Sequence, residues 1–221
     1  MKLCAFDLDG TLLDSAASIV QGVTECWQAC GFPEPDPSEI KKIIGLPWEE
    51  SISLLLPGSG DAERQRIRNF YSDISREDRV RQARREKLFP GVREMLEKVE
   101  RSGALLAIIT SRSGGRLREL LRTQDIESYF TILKTPDNGP GKPNPDLMLQ
   151  ALEETGVEKT NAMMIGDTTF DIQMAKNAGS NALGVAWGVH QRNQLLESGA
   201  DDVVENMDEI FPKLSMTFLK S

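Results

Sequence analysis

The chain has no surplus of positive charge, a single histidine, three cysteines and no long hydrophobic run. Its 26 Lys and Arg stand against 34 Asp and Glu, a formal charge of -8. Nucleic acids and anionic membranes need a cationic face, so neither is expected as a partner, and a small soluble ligand is. No apolar run approaches the roughly 20 residues of a spanning helix. The segment Met1-Lys2-Leu3-Cys4-Ala5-Phe6-Asp7 lacks the zones of a signal peptide, which places the chain in the cytoplasm as an expectation. Cys4, Cys26 and Cys30 are odd in number and spaced for neither a disulfide framework nor a zinc site, and free thiols are expected. No Cys-x5-Arg run is present either, which removes a cysteine-based phosphatase. The lone His190 is read as lining a loop, outside the chemistry.

With 39% apolar and 27% charged residues, 221 positions suffice for a large core. Short apolar runs at Leu3 to Phe6, Ala104 to Ile109, Phe130 to Leu133, Ala162 to Ile165 and Ala182 to Ala186 read as strands buried on both faces. Helical spacing lies between them: Val92, Met95, Leu96 and Val99, then Leu117, Leu120 and Leu121, then Leu147, Met148, Ala151 and Leu152. This alternation predicts an α/β fold, a doubly wound parallel sheet with a Rossmann-like core.

One stretch breaks the alternation. From Asp14 to Leu88 no strand is read, but helical periodicity appears at Ile19, Val20, Val23 and Trp27 and again at Ile52, Leu55 and Leu56. Residues 14–88 are expected to form a helical cap inserted into a core of residues 1–13 and 89–221. Turn chemistry at 31–37, at 57–60 and at Phe89-Pro90-Gly91 divides and closes it. The span Arg76 to Lys87 mixes both signs and reads as a solvated helix face. Gly45, Leu46 and Trp48 are candidate cap contacts to a substrate.

Ligands of open parallel sheets bind at the carboxyl ends of the strands. The residues there are polar: Asp7-Leu8-Asp9-Gly10-Thr11, Thr110-Ser111-Arg112, and Gly166-Asp167-Thr168-Thr169-Phe170-Asp171, with Gly141-Lys142-Pro143 in a loop between. Two aspartates one residue apart put two carboxylates on one side of an extended chain, which is costly unless a cation lies between them. Asp167 and Asp171 make four. An oxygen-only cluster selects a hard cation, and Mg2+ is the expected occupant. Lys142 would balance charge and hold a phosphate. Thr110 and Ser111, just before the helix that starts near Gly114, offer further phosphate contacts. Each piece alone has an ordinary explanation as turn, loop or helix cap; their joint placement after predicted strands points to one site.

Asp7-Leu8-Asp9-Gly10-Thr11-Leu12, Thr110, Lys142-Pro143 and Gly166-Asp167 through Asp171 together resemble the four motifs of the haloacid dehalogenase superfamily of phosphatases, in the phosphoglycolate phosphatase-like group with a helical cap. The resemblance implies Asp7 as nucleophile, Asp9 as general acid and base with a raised pKa, and Thr110 and Lys142 on the phosphate. It places Mg2+ on Asp7, the Asp9 carbonyl and Asp167, with Asp171 a direct ligand or one step removed. Ser111 stands where many relatives carry Asn. The expected reaction is hydrolysis of a small phosphomonoester through a phosphoaspartate. A phosphosugar mutase of the same superfamily and a phospho-acceptor signalling domain are the alternatives. Dehalogenase relatives lack the second aspartate, which Asp9 supplies here. A cap closing directly over Asp7 and Asp9 is expected to leave little room.

Overall fold

The computed structural model describes residues 1–73 and 86–219. Six parallel strands form the sheet: β1 (Leu3–Phe6), β4 (Leu105–Ile109), β5 (Ile132–Lys134), β6 (Ala162–Gly166), β7 (Asn181–Val185) and β8 (Asp202–Val204), in the order β5-β4-β1-β6-β7-β8. Central β1 pairs Phe6 with Ile108 on one side and with Ile165 on the other. The chain therefore departs in opposite directions from the two sides of β1, and the crevice that such a reversal opens lies at the end of this strand.

Successive side chains of a strand point to opposite faces, and both faces are covered. Cys4, Phe6, Ile108 and Ile165 pack with the helices Val92–Arg101, Gly114–Thr123 and Met207–Thr217. Leu3, Ala5, Ile109 and Met164 pack on the opposite side with the helices Asp146–Thr155 and Thr169–Asn177. Every residue of β1 is fully buried. The expected strands are present within one or two residues of their ends, and β8 is an addition. Its two apolar residues, Val203 and Val204, sit among Asp201, Asp202 and Glu205, too short a run to stand out in the sequence.

Burial pushes the Cys4 thiol up to about 12, against a small opposing pull from Lys2. The unfolded chain loses this proton near pH 9 and the folded protein keeps it, so above pH 9 the native state binds more protons and stability falls as pH rises. Urea unfolding between pH 9 and 11 should therefore show a decline steeper than in Cys4→Ala by up to about 1.4 kcal/mol per pH unit. Equal slopes in the two proteins would refute this.

The described residues between Leu13 and Leu88 are mainly helical: α1 (Ala16–Ala29), α2 (Pro37–Lys42), α3 (Trp48–Leu55) and α4 (Asp61–Ser72). Val23, Cys26, Trp27, Ile40, Ile52 and Ile67 form its own small core. The reading of no strand in this stretch is corrected at its ends, where β2 (Leu13–Asp14) pairs antiparallel with β3 (Lys87–Leu88). Two residues per strand leave no alternation to detect. α4 was also not legible, because DAERQRIRNFYS carries only one fully buried apolar residue, Ile67. Of the span read as a solvated helix face, Arg76 to Arg85 lies outside the described residues, Lys87 is in β3, and Glu86 is buried.

Candidate active site

Asp7 follows β1, Thr110 follows β4 and Asp167 follows β6, so three strand ends converge. The loop carrying Lys142 brings a wholly buried ammonium between two carboxylates, 2.7 Å from Asp7 Oδ1 and 2.5 Å from Asp171 Oδ1. Asp171 is fixed from its own helix, where Thr168 is the N-cap. The Thr168 N–H and hydroxyl donate to Asp171 Oδ2 at 3.0 and 2.7 Å, while the Asp171 N–H donates back to the Thr168 hydroxyl. This reciprocal cap satisfies the first turn of the helix and aims Oδ1 at Lys142.

Asp167 is held by the Thr11 hydroxyl at Oδ1 and the Val189 N–H at Oδ2, each at 2.8 Å. Its surroundings require glycine twice. A Cβ on Gly10, whose φ is +82°, or on Gly188 would lie 2.2 Å from Asp167 Oδ2. His190 Nδ1 accepts from the Thr169 N–H at 2.9 Å and lines this loop, as expected.

Oxygens of Asp7, Asp167 and Asp171 come within 4.8 Å of one another. Burial first, and then Asp171, Asp167 and Asp9, push the Asp7 carboxyl well above its usual range, against the pull of Lys142. Burial and the Asp171 charge raise Asp167 to about 7, against the Val189 and Thr11 hydrogen bonds. Burial would favour neutral Lys142, but Asp171 and Asp7 outweigh it and hold the ammonium tightly. Fully ionised, the three carboxylates would carry two negative charges more than the one ammonium balances, which is why burial resists their ionisation. Asp7 Oδ2 is buried without a hydrogen-bond partner. A hard divalent cation fits both the charge deficit and the orphaned oxygen.

Asp9 is elsewhere engaged. Arg112 grips it with two hydrogen bonds, Nε to Oδ2 at 2.7 Å and Nη2 to Oδ1 at 2.5 Å, and also bonds Glu86 at 2.9 and 2.8 Å. Burial opposes ionisation of Asp9, but the guanidinium prevails and holds its carboxyl below the usual range. The expectation of a raised Asp9 pKa is thus overturned: a bidentate cation outweighs the neighbouring carboxylates. Neither Arg112 nor Glu86 had been given a role. The available signal was an arginine directly after Thr110-Ser111, in a site otherwise rich in carboxylates.

Two phosphate contacts also differ in detail. The Ser111 hydroxyl donates to the Gly45 carbonyl at 2.6 Å, and the Gly114 N–H at the helix start donates to Asp137 Oδ2 at 2.8 Å. That helix terminus is already occupied by a carboxylate. Thr110 is buried, and its hydroxyl accepts from the Arg112 N–H at 3.3 Å.

The loop Gly45 to Pro47 rests on the core. Beside the Ser111 bond, Pro47 packs so closely on Gly141 that a Cβ there would lie 2.8 Å from Pro47 Cγ. Under this contact lies a cavity of about 510 Å³, with Asp7, Asp9 and Thr110 at its base and Gly45, Leu46 and Trp48 on its wall. The helices bridge the site at its rim, and the space beside them is about half open to solvent.

A profile of haloacid dehalogenase-like hydrolases matches residues 4–185. The chain is 34% identical over 211 residues to the probable phosphatase IndB of Dickeya dadantii, covering 94% of this chain and 91% of that one. It is 28% identical to a phosphoglycolate phosphatase of Vibrio parahaemolyticus, with 98% and 97% covered. A haloacid dehalogenase-like hydrolase from Streptococcus pneumoniae superposes with a TM-score of 0.82 at 27% identity, covering 97% of this chain and 98% of that one. The chain belongs to the haloacid dehalogenase-like hydrolase family. It is an enzyme, a phosphoric monoester hydrolase of the phosphatase kind.

Proposed function

We propose that this enzyme hydrolyses a small phosphomonoester in two steps through a phosphoaspartate on Asp7, with Mg2+ as its metal. The observation that carries this reading is Lys142 set between Asp7 and Asp171, with Asp167 alongside, at the ends of three strands. Asp7, the Asp9 carbonyl and Asp167 would hold the ion. Asp171 supports from one side, since its oxygens already serve Lys142 and Thr168. When bound, the metal supplies positive charge that offsets the phosphoryl oxygens.

A carboxylate oxygen of Asp7 attacks phosphorus in line, forming the acyl phosphate as the ester P–O bond breaks. Thr110 and the Lys142 ammonium contact the phosphoryl oxygens, and Ser111 orders the loop beside them through its bond to Gly45. Asp9 delivers a proton to the departing alkoxide, then accepts one from the water that cleaves the Asp7–phosphorus bond. As a carboxylate paired with Arg112 it is ready for the second task; the first requires that the guanidinium release it and that it take up a proton from solvent before the ester bond breaks. Residues 14–88 act as the cap and residues 1–13 and 89–221 as the catalytic core. Cys4, Cys26 and Cys30 are all free, which suits the reducing cytoplasm. Among the described residues, no helix is long and apolar enough to cross a membrane.

The test is phosphate release from a panel of small phosphomonoesters before and after chelation. Activity should fall at least about a hundredfold on exhaustive chelation, return with Mg2+, and return poorly with Ca2+, whose larger and looser shell misplaces the nucleophile. Undiminished turnover in the chelated protein would rule out the metal, and net inversion at phosphorus in a chirally labelled ester, where two successive displacements give retention, would rule out the covalent step.

A further inference from the structure

The cavity does not suit a two-carbon leaving group. Its volume of about 510 Å³ falls in the range of roughly 300–1,000 Å³ that encloses drug-sized ligands. The space is about half open to solvent and lies beside points where the cap touches the core, Ser111 with Gly45 and Pro47 with Gly141. Its apolar surface comes from Ile19 of α1, Leu46 and Trp48 around the start of α3, and Tyr71 of α4. The Trp48 and Tyr71 rings meet edge to face with centroids 4.4 Å apart, and Trp27 supports Trp48 from behind at 6.4 Å. These contacts fix the wall as an aromatic surface.

The cavity also carries charged and polar groups. Its two described arginines are both engaged, Arg112 by Asp9 and Glu86 and Arg116 by the ring and carbonyl of Tyr71. Glu25 and Glu86 also line the space. Arg116, Ser18, Ser51 and Ser113 line it as well, so the carboxylate of a glycolate would find polar groups there, but so small a leaving group would leave the aromatic wall uncovered.

We infer that the leaving group is a bulky, chiefly apolar alcohol of ring-system size, lodged against the Trp48–Tyr71 wall with its phosphate at Asp7 and Lys142. This rests on the phosphatase reading above and sets its substrate class. Burial of each added methylene in such a wall favours binding by about fourfold.

Phosphate release should be followed for ethyl, butyl, benzyl and 2-naphthylmethyl phosphate, all esters of primary alcohols, so that size changes far more than leaving-group basicity. Phosphoglycolate joins the series. kcat/KM should rise at least tenfold from ethyl to the best ring ester, with phosphoglycolate near the ethyl compound. Trp48→Ala should lower the ratio of naphthylmethyl to ethyl turnover about tenfold; the ratio cancels any loss of folded protein, and an unchanged ratio overturns the placement. A rise of less than tenfold on the unsubstituted enzyme, or phosphoglycolate as the best substrate, overturns this inference and leaves the phosphatase reading standing. Absence of turnover with every ester overturns both.

Discussion

Asp7→Asn is expected to lower turnover by about 10⁴-fold or more while leaving the protein folded. The amide has the shape of the carboxyl but no electron pair able to form the acyl phosphate, and loss of a nucleophile removes the pathway outright. Stability should respond in the other direction. In the metal-free protein the Asp7 carboxyl is held well above its usual range, first by burial and then by surrounding carboxylates. Its ionised form is therefore a burden on the fold at neutral pH, and a neutral isostere relieves it. Thermal unfolding in chelator should give a Tm equal to or above that of the parent. Activity within tenfold of the parent would exclude Asp7 as the nucleophile. A collapse in Tm would instead mean that the Asp7–Lys142 pair holds the site together.

Lys142→Met is expected to damage both stability and activity. The side chain is fully buried between Asp7 and Asp171, and its removal leaves two carboxylates facing each other without their cation. Breaking a buried pair from one side costs about 3–5 kcal/mol. For a chain of this size that corresponds to a Tm lower by about 10 °C. Lys142→Arg should not restore function, because a planar guanidinium is larger than the ammonium it replaces and cannot occupy the same point between the two oxygens. A Tm unchanged in Lys142→Met, measured with and without Mg2+, would show that the ammonium is dispensable to the fold.

Much of this site could be read from the chain because it is built from residues that directly follow apolar runs. Asp7, Thr110 and Asp167 each come after a strand buried on both faces, where the fold offers only one direction for polar side chains to gather. Asp171 was visible as the partner of a helix start. The environment of Asp9 was not. Its pairing depends on Arg112, which follows β4, and on Glu86, which comes from the far end of the interrupted stretch, in a run of alternating charge that reads as solvent-facing. Local spacing carries no information about a contact between residues 9 and 112. The engaged N-terminus of the helix Gly114–Thr123 was hidden for the same reason, since Asp137 arrives from beyond β5. Nor could the cavity be foreseen, because empty space is a property of packing between elements and leaves no pattern along the sequence.

The short ribbon of β2 and β3 has a consequence for how the chain can vary. Leu13 is paired with Leu88, and the Phe89 N–H donates to the Leu12 carbonyl at 2.9 Å, so the backbone leaves the sheet layer and re-enters it at adjacent points. Everything between those points hangs from a closed neck. A two-residue hairpin turn joins such strands as readily as a long helical insertion does, and the entropy of closing the loop grows only slowly with its length. The helices over the site are thus an exchangeable attachment: they can be lengthened, replaced or pared back while the six-stranded layer and the carboxylates at its edge keep their register.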